Sequence, residues 1–187
     1  MLHTIEEYTK QVEITGYRNI TFATAEAFLK THRQSPNQVD LQFFDATLIA
    51  TPQHLYFATL NALQAFHNKT NISKSIAIEI MLYASAQRQI QKAITHIGIK
   101  PQTKNMAVIV VGNNQNQIEA QLKGLSIHLG CQTDESVLEL TKDKETKIRN
   151  TFQIKDQELE KQNKGNIKKA LVDLVVEHIA LLATQSG

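Results

Sequence analysis

Residues 73–85, SKSIAIEIMLYAS, read as a helix with apolar side chains on nearly every side. Ile76, Ala77, Ile78, Ile80, Met81 and Leu82, preceded by Ile72, leave no broad face for water, so this helix belongs in the middle of the fold. Either Asn71 or Ser73 can cap its first turn. Its one continuous polar stripe, Ser75, Glu79 and Tyr83, recurs once per turn and suits buried hydrogen bonds to neighbouring elements.

Elements able to surround such a helix flank it on both sides. Residues 11–18, QVEITGYR, alternate Val12, Ile14 and Gly16 with polar positions, as a half-buried strand does. A helix is expected from about Thr24, its N-cap, with Ala25, Phe28, Leu29 and His32 on one face, followed by a turn at Ser35, Pro36 and Asn37. Val39, Leu41 and Phe43 alternate as a second strand. Thr51 and Pro52 mark a helix start, and Leu55, Ala58, Thr59, Ala62, Leu63 and Phe66 carry that helix to about Asn68.

Beyond the central helix, Ile90, Ala93, Ile94 and Ile97 point a further helix inward, with Gly98 placed to end it in a left-handed conformation. Arg88, Lys92 and His96 form a row on its outer side. The run MAVIVV, 106–111, suits a buried strand. A helix over 113–129 turns Ile118, Leu122, Leu125 and Leu129 inward, and a short strand is expected within 130–140. Two short helices over 143–162 and a turn at 163–166 lead to a last helix from Ile167 to about Ala183. That helix has two apolar rows: Ile167, Leu171, Leu174, Val175, His178 and Leu182, and beside them Val172, Val176 and Ile179. The second row can pack on 143–162 or face a partner. Few glycines and prolines, 7 and 3, agree with a helix-rich α+β chain carrying a small, mainly antiparallel sheet, and 187 residues suffice for one domain.

Several function classes lack their signatures. Twenty Lys and Arg against eighteen Asp and Glu give a net charge of +2, so nucleic-acid binding has to come from local clustering. The single Cys131 excludes an internal disulfide and fits a cytoplasmic protein, and no apolar run is long enough for a membrane span. There is no Gly-rich phosphate loop, Gly-x-Ser-x-Gly elbow or His-Glu-x-x-His pair, and the seven histidines are scattered, so no cofactor or metal is expected. Asp45, Glu79 and His54 are the residues an unrecognised small-molecule enzyme would use. A further alternative is a structural protein whose wide C-terminal helix makes a homo-oligomer. The better functional candidate is the cationic group Lys74, Arg88, Lys92 and His96 near helix-end amides, which suits phosphate.

Across residues 45–99, the series DATLIATPQHLYFATLNALQAF, NISKSIAIEIMLYASAQRQIQKAI and HIGIK resembles the Cgi-type, or PRPK-binding, family, the kinase-regulatory subunit of the KEOPS (EKC) complex. The points of likeness include Asp45 before LIA, Asn71-Ile72-Ser73-Lys74-Ser75, Glu79 in EIMLYAS and Arg88-Gln89-Ile90 before Gly98-Ile99. The resemblance implies a non-catalytic α+β protein that binds the N-terminal lobe of the Bud-type atypical kinase and stimulates its ATP hydrolysis. It also implies help in docking the single-stranded CCA acceptor end of tRNA for threonylcarbamoyladenosine modification, with the other KEOPS subunits as indirect partners. Under that reading Lys74, Arg88 and Lys92 supply charge, Asn71, Ser73 and Gln89 reach sugar or base edges, and Val172, Val176 and Ile179 face the kinase. NNQNQ at 113–117 departs from the more acidic segment expected of the family. No long basic tail is present, so the chain alone is expected to hold tRNA modestly and the assembled complex better.

Overall fold

The structure, a computed structural model, describes residues 2–34, 38–162 and 165–184. The expected turn at 35–37 and the first half of that at 163–166 lie outside these residues.

Four strands, β1 (Leu2–Ile5), β2 (Lys10–Tyr17), β3 (Val39–Asp45) and β4 (Met106–Gly112), form one antiparallel sheet in the order β1-β2-β4-β3. β2 and β3 flank β4, with Ile14 opposite Ile109 and Leu41 opposite Val110. They therefore run the same way, joined through helix α1 (Phe22–Gln34) in a split β-α-β arrangement. Each face of the sheet carries a core. Val12, Ile14, Phe44, Ile109 and Val111 face α2 (Pro52–His67), α3 (Ile76–Ala84), α6 (Lys142–Phe152) and α8 (Ile167–Thr184). Tyr17, Leu41, Phe43, Val108 and Val110 face α1 and α5 (Gln115–Leu129). β4 is buried along its whole length, which explains why its sequence is apolar without alternation. α3 packs between α2 and α4 (Ile90–Ile97), and α7 (Asp156–Gln162) lies against α8.

The structure departs from expectation in several places, each with a local cause. β1 has one buried residue in four, Ile5, so it carries no readable alternation. The strand expected within 130–140 is a 3-10 turn, Glu135–Leu138, whose Val137 and Leu138 enter the first core. Val137 reaches so close to Gly16 that a Cβ there would meet its methyl carbon at 2.1 Å, which fixes glycine in the middle of β2. α1 begins at Phe22, so Thr24 lies inside it rather than capping it. α3 is capped by Ser75, whose Oγ accepts from the Ile78 amide at 3.4 Å, and not by Asn71 or Ser73. Thr51 occupies the cap position of α2, but its hydroxyl makes no capping bond. Gly98 is extended, at φ −69°; glycine is needed there because a Cβ would lie 2.5 Å from the Ile94 carbonyl oxygen. No helix among the described residues is long and apolar enough to cross a membrane.

Candidate functional site

The loop before α3 is organised by one buried carboxylate. Glu79 is fully buried, and it accepts hydrogen bonds from the Ile72 amide, at 3.1 Å to each oxygen, and from the Ser73 amide at 2.7 Å. Two backbone donors thus replace the water that an ionised carboxylate loses on burial. The loop's own polar side chains complete the frame. The Asn71 side-chain amide donates to the Ser73 carbonyl at 2.9 Å, and Ser73 Oγ accepts from the Ser75 amide at 3.1 Å. Asn71 is half-buried and Ser73 buried, so both act within the loop, while Lys74 is left exposed at its tip.

Across the α3–α4 turn, Arg88, Gln89 and Lys92 are all exposed. Gln89 stands at the N-cap of α4 without a side-chain capping bond. Burial raises the Tyr83 phenol's pKa, the Glu79 charge adds to this, and the Arg88 guanidinium opposes it. Of the four residues expected to face inward from α4, Ala93 and Ile97 are fully buried and Ile94 is half-buried, but Ile90 is 39% exposed. His96 turns partly inward instead of completing the outer row, and its buried Nδ1 has no hydrogen-bond partner among the described residues.

The C-terminal end of α4 opens on a cavity of about 480 Å³. Ile94, Gly98, Ile99, Met81 and Phe43 give it an apolar lining, and Glu26, Lys30 and Arg33 of α1 add charge of both signs. Arg33 is oriented by donating to the Gln42 side chain at 2.9 Å, and burial lowers its pKa. Sequence reasoning missed this cavity because its walls come from α1, β3, α3 and α4, which no local pattern joins.

The residues available to an enzyme are occupied by the fold. The imidazole of His54, fully buried, accepts from the Ala50 amide at Nδ1 (3.2 Å) and donates from Nε2 to the Ala84 carbonyl (2.7 Å). Burial pushes its pKa down to about 4, so the ring is neutral and joins α2 to the end of α3. Asp45 secures the turn after β3: Oδ1 accepts from the Thr47 amide (2.9 Å) and hydroxyl (2.7 Å), and Oδ2 from the Thr103 hydroxyl (2.8 Å). Glu79 holds the loop already described. Burial raises the Cys131 pKa, which keeps it a thiol, and no cluster of metal ligands occurs among the described residues.

α8 is more deeply embedded than a one-sided amphipathic helix. Leu171, Leu174, Val175 and Leu182 of the first row are buried, but Ile167 is exposed, and His178 is half-buried with its ring edge-on to Phe152. In the second row Val172 is 7% exposed and Ile179 0%, both within the chain's own core, while Val176 is half-buried. Glu177, Ala180 and Leu181 form the exposed side.

A family model described as kinase binding protein CGI-121 matches residues 17–183, a span that holds both surfaces. Regulatory protein Cgi121 of Methanocaldococcus jannaschii is 34% identical over 141 residues, covering 75% of this chain and 81% of that protein. The chain belongs to the CGI-121 kinase-binding family, a family of regulatory proteins and not of enzymes.

Proposed function

We propose that this chain is the cytoplasmic KEOPS subunit that binds the N-terminal lobe of the Bud-type kinase, stimulates its ATP hydrolysis and recruits tRNA by its single-stranded CCA end. Family membership supports the kinase half. The observation that carries the tRNA half is the arrangement along α4: exposed Arg88, Gln89 and Lys92 at its start and a largely apolar cavity at its end. An unpaired RNA end is held by cations on its phosphates and by apolar contact with its bases, and α4 brings the two together. Lys74, Arg88 and Lys92 take the phosphates and Gln89 a sugar or base edge. Asn71 and Ser73 contribute by fixing the loop that presents Lys74, consistent with their internal hydrogen bonds.

On the kinase side, Val176 and Leu181 offer apolar contact from α8, with Val172 and Ile179 anchoring the helix beneath them. The tRNA assignment is tested by comparing intact tRNA with tRNA trimmed of its CCA end in binding titrations. Arg88→Glu is expected to weaken intact tRNA about tenfold and to change the trimmed RNA little. Equal losses on both would place the contact elsewhere.

A further inference from the structure

Lys144, on α6, belongs to neither of the residue sets assigned to the kinase and tRNA surfaces. Only 6% of it is exposed, and its ammonium donates to the Val137 carbonyl at 3.1 Å, its one hydrogen-bond partner among the described residues. No carboxylate among those residues forms an ion pair with it. An ammonium has three donors, so two remain without a protein acceptor on a buried cation, a costly arrangement for the chain alone. The side chain lines a polar cavity of about 240 Å³ together with Arg18, Lys147, Asn105 and Ser136. Arg18 is pre-positioned there, donating from Nε to Asp134 and from a terminal nitrogen to Ser136 Oγ, each at 2.7 Å. Glu139 and Asp143 also line the cavity, and Arg18 is ion-paired with Asp134, so the charge that stands out is the buried ammonium of Lys144.

The geometry points to a binding site for a small oxyanion, a phosphate or carboxylate group that accepts the two open donors of Lys144 and is flanked by Arg18 and Lys147. Such a ligand adds a counter-charge in direct contact with the ammonium, where Asp45 and Glu139 act only from a distance, and its size suits the cavity. Burial holds the Lys144 pKa down at about 8, with the charges of Asp45 and Glu139 opposing the shift; a bound anion would raise it.

The test titrates the full chain separately with inorganic phosphate and with acetate, at ionic strength held constant with chloride. Side-chain NMR of Lys144 and amine-reactive labelling of its peptide provide the readouts. Saturable binding of either anion is expected, with the Lys144 pKa moving from about 8 toward the ordinary lysine value and with Lys144 protected from labelling while Lys74 is not. Arg18→Gln and Lys147→Gln, both at exposed positions and each checked for folding by a thermal scan, are each expected to weaken binding about tenfold. No saturable effect beyond chloride, unchanged binding in both variants, or protection of Lys144 by tRNA alone would overturn the proposal.

Discussion

Replacing Glu79 with leucine keeps a side chain of similar size but strips the Ile72 and Ser73 amides of their acceptor in a buried setting. An unsatisfied buried donor costs about 1–3 kcal/mol, so Glu79→Leu is expected to lose about 3 kcal/mol in urea denaturation, and Glu79→Gln distinctly less. A loss below about 1 kcal/mol for the leucine variant would show that the loop holds its shape by other means. His54 makes a second residue-scale prediction, in pH. Its folded pKa, about 4, lies below the 6.5 of a histidine in an unfolded chain, so the unfolded chain binds the proton first. The stabilisation is full above pH 6.5 and falls as the pH drops toward 4. Denaturation midpoints measured between pH 7.5 and 4.5 should therefore fall more steeply for the parent chain than for a His54→Gln variant; parallel curves would remove His54 from the explanation.

Among the elements, α8 offers the sharpest contrast between two neighbouring valines. Val172→Asp places a charge inside the core and is expected to unfold the chain or lower its Tm by more than about 10 °C. Val176→Asp, on a half-buried position, should shift Tm by only a few degrees. Thermal scans of the pair check this, and equal destabilisation would mean that α8 has no side available to a partner. The same helix illustrates what the sequence could and could not reveal. Its length and two apolar rows were readable, but not that residues of both rows are buried, because α2, α3, α6 and α7 all pack against it. α3 and β4 were legible for the opposite reason: burial on all sides leaves no ambiguity in an apolar run. β1 was invisible with its single buried residue, and the 3-10 turn at Glu135–Leu138 was read as a strand because two buried residues suffice for either. Of the site, the exposed cations and Gln89 could be read from the sequence. The roles of Asn71 and Ser73 as loop braces could not, since they depend on bonds within the loop and on a carboxylate six residues beyond Ser73.

At the scale of the whole molecule, the chain is a scaffold whose buried Asp45, His54 and Glu79 are tied into its own turns and helices, leaving kinase and tRNA contacts to its surfaces. One surface, along α4, combines cations with a largely apolar cavity; another, on α8, sets Val176 and Leu181 beside the carboxylates of Asp173 and Glu177. Two surfaces on one fold suit the proposed role of joining a kinase to an RNA, because contacts on a shared ligand multiply through effective concentration. A homo-oligomer built on α8 would instead occupy the face proposed for the kinase. The most direct measurement is a calorimetric titration of the Bud-type kinase with this chain, with ATP hydrolysis followed on the same samples. Saturable one-to-one binding is expected, accompanied by faster ATP hydrolysis, with both lost in Val176→Asp. A folded chain that gives no heat of binding and leaves the kinase's hydrolysis unchanged would contradict the account.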